Sequence, residues 1–326
     1  MKAAIIDSQG LSVTAVPVPT PAAHQLLVKV HFSALNRADL AMTDGHKHGA
    51  AGGQGAIAGL EWSGVVTEIG KEVDGYAIGD RVMCSGAGGY AEYALSDASR
   101  TNKFPESEDN GYSFEEAATL PVALQTMHDA IVTNGRLQKS ESVLIQGASS
   151  GVGILGMQIA KYLGARLVIG SSTDRHRREK LLSHGADIVI DTLDEDWPKQ
   201  VKSATDGQGV DLVVDQISGP VANGNMQAAK VMGRIVNVGR LGGMHGDFNF
   251  DLHALKRIDY IGVTFRTRSS AEVMAINDAM RRDLWRGLEE RAFSIPIDRI
   301  FALDEVADAQ AYMRANQHFG KILLQP

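Results

Sequence analysis

The residues with the clearest chemical meaning form a glycine-rich turn near the middle of the chain. Val143, Leu144 and Ile145 make a short apolar run, typical of a strand buried on both faces. The residues that follow are Gln146 and then Gly147, Ala148, Ser149, Ser150, Gly151, Val152 and Gly153. Apolar residues recur at helical spacing after that point. The turn therefore leads into a helix N-terminus, where free N–H groups and the helix dipole favour a pyrophosphate, and it predicts a dinucleotide site.

Each glycine of the turn has its own use in such a site. Gly147 suits the tight turn, Gly151 lets the backbone approach a phosphate, and Gly153 lets the helix pack closely on the sheet. A glycine-rich turn is nevertheless a weak signal by itself. A tight strand-to-helix turn that binds nothing is the alternative, and the rest of the chain has to decide between the two.

The residues after the next strand distinguish two forms of the dinucleotide. A carboxylate near this point usually binds both ribose hydroxyls, whereas a 2′-phosphate needs small polar and cationic groups. The strand-like run 167–170 is followed by groups of the second kind, namely Ser171, Ser172, Arg175 and Arg177. They predict NADPH rather than NADH, although Asp174 partly neutralises their charge. The alternative is that the arginines only line the solvated first turn of a helix.

Strands and helices must alternate to position these residues. Strand-like runs separated by helix-length segments predict right-handed crossovers and a doubly wound parallel sheet. The runs after the turn are 167–170, 188–191, 212–216, 235–239 and 260–265. Gly239 and Arg240 come at the end of one run and Arg266 follows the last, at the edge where open α/β sheets bind ligands. We predict Gly239 and Arg240 as cofactor contacts and Arg266 as catalytic; surface salt bridges are the alternative for the arginines.

The two ends of the chain differ from this central region. The N-terminal part is rich in short strands, at 25–34, 64–69, 80–84 and 89–95, and a helical segment at 115–136 is interrupted by Pro121. A long helix at 271–291 is followed by a strand at 299–302, a helix at 305–315 with Asp304 as its cap, and a last strand at 320–324. We predict one domain from 1–124 and 268–326, with a cofactor domain, 125–267, inserted.

Composition narrows the range of functions. The 326 residues are 44% hydrophobic, enough for two domains, and the formal net charge of -7 argues against nucleic acid as a partner. No apolar run is long enough to span a bilayer and no secretory signal follows Met1, so we expect a cytoplasmic protein without a membrane partner. Cys84 is the only cysteine, which excludes an intrachain disulfide and a thiolate metal cluster.

Several short motifs give the chain a family resemblance over its whole length. They are Leu35-Asn36-Arg37-Ala38-Asp39, Gly59-Leu60-Glu61-Trp62-Ser63-Gly64, Gly79-Asp80-Arg81-Val82, Gly88-Gly89-Tyr90-Ala91-Glu92-Tyr93, the glycine turn, Gly233-Arg234-Ile235-Val236 and Phe319-Gly320-Lys321-Ile322-Leu323. With them the chain resembles the medium-chain dehydrogenase/reductase superfamily and, within it, the zinc-independent quinone oxidoreductases. Residues 259–270 resemble most the branch that contains the p53-inducible quinone oxidoreductase.

The resemblance carries expectations about fold and activity. It implies a GroES-like partial β-barrel, completed by the C-terminal segment, beside a Rossmann doubly wound parallel sheet. It also implies an active site in the cleft between the domains, hydride transfer from NADPH to a small-molecule quinone or enone, and a homodimer.

The question of a metal depends on two positions. Zinc members of the superfamily have a cysteine where Asn36 stands and a histidine where Leu60 stands, and neither residue replaces those ligands. A small metal site made of His46, His48 and Glu61 is conceivable, but a solvated loop is favoured for the histidines. We therefore predict no metal.

Without a Lewis acid, an acceptor that needs little activation is favoured, such as a quinone or an α,β-unsaturated carbonyl. The amide of Asn36 is the best candidate to donate to the acceptor oxygen or to orient the nicotinamide; an Asn that fixes a local turn is the alternative. By the resemblance, Thr126 lies near the nicotinamide. Asn316 and Lys321, in the C-terminal segment, are predicted to contact the cofactor. Asp39 is predicted to be structural.

One departure from the family bears on the substrate. Quinone reductases of this family have tyrosines at two positions that here hold Ala41 and Lys47, so these phenols are missing as proton donors and water takes their place. The leading prediction is an NADPH-dependent quinone oxidoreductase. An enoyl or 2-alkenal reductase of the same fold is the first alternative, and a non-catalytic NADPH-binding structural or interaction protein is the second. Reduction by one or by two electrons stays open.

Overall fold

The computed structural model describes residues 1–8, 10–49, 51–105 and 111–326, and these residues form two compact units. Unit 1 consists of Met1–Val122 and Phe265–Pro326, and unit 2 consists of Ala123–Thr264. The domain boundaries predicted from the sequence lie two and three residues further along the chain, at 124/125 and 267/268.

The strands of the described residues are β1 (Lys2–Asp7), β2 (Gly10–Ala15), β3 (Gln25–Ala34), β4 (Glu61–Ile69), β5 (Arg81–Ser85), β6 (Tyr93–Asp97), β7 (Thr101–Lys103), β8 (Ser142–Gln146), β9 (Leu167–Ser171), β10 (Ile188–Ile190), β11 (Val210–Asp215), β12 (Ala229–Asn237), β13 (Asp259–Gly262), β14 (Ile297–Ala302) and β15 (Lys321–Gln325). Their α-helices are α1 (Arg37–Thr43), α2 (Phe114–Ala118), α3 (Pro121–His128), α4 (Gly151–Tyr162), α5 (Arg175–Lys180), α6 (Trp197–Ser203), α7 (Ala222–Ala228), α8 (Phe250–Lys256), α9 (Ser270–Glu289) and α10 (Val306–Arg314).

Unit 1 is built around a mostly antiparallel sheet with the strand order β14-β15-β3-β4-β5-β7. The long strand β3 also pairs with β6, and the hairpin of β1 and β2 forms a separate small sheet. The last strand, β15, runs antiparallel to β3, with Leu323 opposite Ala34. The C-terminal segment therefore completes the sheet that the N-terminal segment begins.

Unit 2 contains a six-stranded parallel sheet with the order β10-β9-β8-β11-β12-β13. The chain moves outward from β8 in one direction through β9 and β10, and then returns to place β11 on the other side of β8. This reversal is that of a doubly wound sheet, and it confirms the sequence prediction for this part of the fold. Buried apolar side chains such as Leu144, Val213 and Ile235 form its core.

Two local predictions can be compared with the structure. Pro121 begins α3, at the helix position where a missing N–H costs nothing, so the predicted break in the helical segment is confirmed. The predicted cap at Asp304 is wrong. Asp304 lies within a short 3₁₀ turn, Leu303–Glu305, and its carboxylate instead pairs with the ammonium of Lys2 at 2.6 Å.

Candidate functional site

The glycine turn lies in unit 2 between β8 and α4, as the sequence predicts. Gly147 has a φ of +69°, which is the left-handed region that favours glycine. Ser150 caps α4, because its hydroxyl accepts a hydrogen bond of 3.0 Å from the N–H of Gly153. The N–H groups of Gly151 and Val152 belong to the first turn of the helix and have no carbonyl partner within it. These groups are available to an anion at the helix N-terminus.

Gly153 packs against the backbone of the turn itself. A Cβ atom at this position would lie 2.7 Å from the Cα of Ala148 and 2.7 Å from the carbonyl oxygen of Gly147. Only glycine therefore lets α4 begin so close to the end of β8. The turn thus fits a dinucleotide by its backbone shape as well as by its sequence.

Three polar side chains of neighbouring strands hold the turn in place. The Ser171 hydroxyl accepts from the N–H of Gly147 at 3.0 Å and donates to Oε1 of Gln146 at 2.6 Å. The amide of Gln216 donates to the carbonyl of Gln146 at 3.1 Å, and its oxygen accepts from the Ser150 hydroxyl at 3.1 Å. Sequence reasoning missed Gln146 and Gln216, although each is a polar residue at the end of a buried strand, which is a signal.

The structure corrects the predicted role of Ser171. This residue was predicted to donate to a 2′-phosphate, but its single hydroxyl hydrogen is already directed at Gln146 and the side chain is buried. Ser171 therefore holds the turn. Ser172 is also buried, and its hydroxyl donates to that of Ser149 at 3.3 Å, between the turn and the end of β9.

The predicted arginines begin α5, directly after β9. Arg175 is 86% exposed at its side chain and pairs with Glu179 at 3.0 Å, whereas Arg177 is only 16% exposed and lies 3.6 Å from the carboxylate of Asp174. Asp174 caps α5, and the N–H of Arg177, which donates to its carboxylate, lowers the pKa of that group. Arg177 is therefore the better placed of the two for a ligand beside β9.

Arg178, which sequence reasoning passed over, supports the same loop. Its guanidinium donates to the carbonyl of Ser172 at 2.7 Å and forms an ion pair of 2.9 Å with Asp191. The residue thereby ties the loop after β9 to the loop after β10.

Three further predicted residues have clear positions. Gly239 follows β12 closely, and a Cβ there would lie 2.8 Å from the carbonyl oxygen of Gln216. Arg240 comes next and reaches back to the carbonyl of Val238 at 3.4 Å. Thr126 is half-buried on α3, one residue before Met127, whose sulfur is the atom nearest to a Cβ built on Gly156 of α4.

Unit 1 contains a second group of functional candidates, which we name the buried polar cluster: Asn36, Asp39, Glu61, Tyr90 and Lys321. Each member is buried. Asn36 and Asp39 are close in sequence, at the start of α1, and the other members come from distant parts of the chain. The ammonium of Lys321, at the start of β15, contacts the carboxylate of Glu61, at the start of β4. Burial raises the pKa of Glu61, and the ammonium beside it opposes that effect.

Asn36 is bonded on both sides of its amide. Its Oδ1 accepts from Lys321 at 2.8 Å, and its Nδ2 donates to Glu61 at 2.9 Å and to the carbonyl of Ala34 at 3.3 Å. The other oxygen of Glu61 accepts from the N–H of Val122 at 2.8 Å, in the first turn of α3. The cluster therefore joins α1, β4, β15 and the start of α3.

Asp39 is buried in a structural position, as the sequence predicts, but the sequence does not predict its hydrogen-bond partners. One carboxylate oxygen accepts from the N–H of Asn36 and from the hydroxyl of Tyr90, each at 2.7 Å. The other oxygen has no hydrogen-bond partner among the residues that the structure describes. Burial raises the pKa of Asp39 to about 7.

This pKa makes the stability of the protein depend on pH. In the unfolded chain the carboxyl titrates at about 3.9, so between about pH 4 and pH 7 the folded state binds more protons and stability falls as the pH rises. Asp39→Asn keeps the oxygen that accepts both bonds and cannot titrate. We expect wild type to lose on the order of 2 kcal/mol more than this variant between pH 5 and pH 8, measured by urea unfolding. Parallel losses in the two proteins would contradict the assignment.

The structure gives the positions of three further predicted residues of unit 1. Lys321 was predicted as a cofactor contact, but its ammonium is buried between Glu61 and Asn36. Asn316 is exposed after α10, and its Oδ1 accepts from Arg37 at 2.6 Å. Arg266 was placed at the end of a strand, but β13 ends at Gly262 and Arg266 lies in an exposed turn beyond it.

The described residues contain neither a candidate metal-ion group nor a candidate membrane-spanning helix. They contain no group of three or more His, Cys, Asp or Glu side chains arranged to hold a metal ion, and the prediction of a metal-free site stays a prediction. In the same part of the chain, no helix has the length and apolar character that crossing a membrane requires.

Comparisons with known families and structures agree with this architecture. The family model of the alcohol dehydrogenase GroES-like domain matches residues 22–106, and that of the zinc-binding dehydrogenase matches residues 151–279. A crystal structure of a probable oxidoreductase from Mycobacterium abscessus is 30% identical, with a TM-score of 0.84 over 100% of this chain and 99% of that one. The GroES-like part of the predicted fold class is thereby confirmed.

Two curated relatives add information about activity in similar proteins. The quinone oxidoreductase of Rattus norvegicus is 27% identical over 312 residues, which cover 95% of this chain and 91% of the rat protein. A phenolphthiocerol/phthiocerol polyketide synthase protein of Mycobacterium tuberculosis is 30% identical over 325 residues. That match covers 98% of this chain but spans only 14% of the synthase protein.

Proposed function

The chain belongs to the medium-chain dehydrogenase/reductase superfamily of oxidoreductases, and on that premise we propose that it is a zinc-independent enzyme that uses NADPH to reduce a quinone. The observation that carries the proposal is the glycine turn of unit 2, whose helix N-terminus and close backbone packing suit a pyrophosphate. When bound, the dinucleotide supplies a hydride from its nicotinamide ring. The similarity to the rat quinone oxidoreductase supports the choice of acceptor.

Residues of unit 2 would hold the dinucleotide. Gly151 and Val152 offer helix N–H groups to the pyrophosphate, and Gly147 shapes the turn beneath it. Gly239 keeps the neighbouring loop close to Gln216, which braces the turn. Ser149, Ser172 and Arg177 lie on the side of β9 where the second ribose is expected.

The preference for NADPH can be tested at Arg177. We expect Arg177→Ala to raise the Kd for NADPH by about 10-fold, because a guanidinium forms charge-assisted hydrogen bonds with a phosphate, and to leave the Kd for NADH within about twofold. Fluorescence titration with both cofactors measures the two constants. Arg175→Ala is the matched control and is expected to have the smaller effect, since the side chain of Arg175 is 86% exposed and that of Arg177 only 16%. Equal changes for NADPH and NADH would contradict the assignment.

Asn36 is the group that we assign to the acceptor. Of the bonds from its Nδ2, the one to the Ala34 carbonyl is long, at 3.3 Å, and an acceptor oxygen can take its place at small cost. Donation of this N–H to the oxygen that becomes negative on reduction stabilises the charge as it develops. The phenol of Tyr90 does not replace the missing family tyrosines, because it is buried and donates to Asp39, so water is the proposed proton source.

A panel assay tests the function. We expect NADPH absorbance to fall on mixing the protein with quinones, with 2-alkenals and enones as comparison acceptors and NADH run in parallel. Asn36→Ala is expected to lower turnover by about 100-fold, the order seen when one donor to a developing oxyanion is removed, with the Kd for NADPH unchanged. Unchanged turnover would remove Asn36 from the mechanism.

Two other functions are retained as candidates. The similarity to a polyketide synthase protein favours an enoyl or 2-alkenal reductase, whose α,β-unsaturated acceptor takes hydride at its β-carbon. Rapid NADPH consumption with enones and none with quinones would select it. Tight NADPH binding without consumption by any acceptor would instead select a non-catalytic binding protein. The p53-inducible branch, the homodimer, the absence of nucleic-acid partners and the cytoplasmic location stay predictions.

A further inference from the structure

The amide of Asn36 is held by two charged partners that fix its orientation. An ammonium can only donate hydrogen bonds and a carboxylate can only accept them. Oδ1 of Asn36 must therefore face Lys321, at 2.8 Å, and Nδ2 must face Glu61, at 2.9 Å. If the amide were rotated, Nδ2 would face the ammonium of Lys321, donor against donor. Oδ1 would then face the carboxylate of Glu61, acceptor against acceptor, in a buried site.

Neither charged partner is available to a substrate itself. The side chain of Lys321 is 4% exposed and that of Glu61 is fully buried, whereas Asn36 as a residue retains 7% exposure. Glu61 is held further by the N–H of Val122 on its second oxygen. Lys321 and Glu61 can therefore act on a ligand only through the Asn36 amide, which is bonded to both.

The ammonium also changes the strength of the amide as a donor. An ammonium that donates to Oδ1 draws electron density from the amide nitrogen, and hydrogen bonds in chains polarise one another in a low-dielectric interior. We propose that Lys321 and Glu61 are positioning residues: both orient Asn36, and the ammonium of Lys321 polarises it, so that its second N–H binds the reduced acceptor oxygen. The inference rests on the proposed function, in which Asn36 contacts the acceptor.

Single neutral substitutions do not test this cleanly. Glu61→Gln would place an amide NH₂ against the N–H of Val122 or against the donors from Asn36 and Lys321. The double variant Glu61→Leu/Lys321→Met removes both charges together, and replacement of a buried ion pair by apolar residues of similar volume is often tolerated. Lys2→Met/Asp304→Leu removes the exposed pair of the same unit and is the matched control.

The experiment is a cycle of variants measured by single-turnover NADPH oxidation with the best acceptor of the panel. Asn36→Ala and the double variant are each expected to lower the rate by about 100-fold, and the triple variant no further, because the pair acts only through Asn36. A triple variant whose loss is the product of the two, about 10,000-fold, would overturn the inference. The Kd for NADPH is expected to stay within about twofold in all variants.

Two further measurements keep the result interpretable. Should the double variant not fold, Lys321→Arg replaces it, since a guanidinium keeps the charge and both donors. Its rate is then expected within about threefold of wild type, and a loss of about 100-fold at unchanged Kd for NADPH would contradict the inference.

If wild type consumes no acceptor, the proposed function fails, and the side-chain NH₂ resonance of Asn36, assigned by its loss in Asn36→Ala, tests the inference alone. It is expected to shift in the double variant; an unchanged resonance would overturn the inference.

Discussion

Gly153→Ala is expected to weaken NADPH binding by about 100-fold or more, which corresponds to about 2.7 kcal/mol. The added Cβ would lie 2.7 Å from Cα of Ala148 and from the carbonyl oxygen of Gly147. Both atoms belong to the backbone, so no side chain can move aside and α4 itself must shift. Its N–H groups then leave the position in which they meet the pyrophosphate. Isothermal titration with NADPH measures the loss.

Gly262→Ala is the matched control for this prediction. Gly262 lies in β13 of the same unit, and a Cβ built there has no atom within 4 Å among the described residues. Its affinity for NADPH is expected to equal that of wild type. If Gly153→Ala bound NADPH as tightly as this control, the glycine turn would not be the dinucleotide site and the proposed function would lose its main support.

Lys321→Met is expected to lower the free energy of unfolding by about 3–5 kcal/mol, the cost of leaving one charge of a buried pair without its partner. Glu61 would remain fully buried, with hydrogen bonds from Asn36 and Val122 but no compensating charge. Urea unfolding followed by circular dichroism measures the change. The double variant Glu61→Leu/Lys321→Met is expected to recover part of the loss: it leaves no unpaired charge, but Asn36 and the N–H of Val122 lose their hydrogen bonds to the pair.

Lys2→Met provides the comparison with an exposed ion pair. The Lys2–Asp304 pair has a short distance too, 2.6 Å, but its side chains are 57% and 59% exposed, so solvent screens the interaction. The variant is expected to unfold at nearly the same urea concentration as wild type, because solvent screens an exposed ion pair. Equal losses in Lys321→Met and Lys2→Met would show that burial does not govern the Glu61–Lys321 pair.

The sequence was most informative where a pattern is local. The apolar run before the glycine turn and the helical spacing after it define β8 and α4, and the serine at position 150 supplies the cap. Strand alternation with helices likewise predicts the parallel sheet. Strand ends were less certain: β13 stops at Gly262, and the strand predicted to continue to residue 265 misplaced Arg266. An edge strand such as β13 pairs on one side only, so its end depends on its neighbour β12.

The buried polar cluster could not be predicted in the same way. Glu61 and Lys321 are 260 positions apart, and their contact follows from the pairing of β15 with β3 and of β3 with β4. A weaker signal was present, because each is a charged residue at the edge of an apolar run and must find a partner if that run is buried. For Ser171 the residue type was correct for a phosphate, but the neighbouring strand supplies Gln146, which takes the hydroxyl hydrogen first.

The antiparallel pairing of β15 with β3 also determines which of the two units can be completed first during synthesis. Unit 2 is one continuous segment, so all of its strands have been made once residue 264 is complete. Unit 1 lacks its C-terminal strand until Lys321 has been added, 199 residues after Val122, or roughly 10–40 s at the usual speed of ribosomes. During that interval Lys321, the partner of Glu61 in the folded state, has not yet been added. Until β15 is made, the end of β3 that pairs with it remains an open sheet edge.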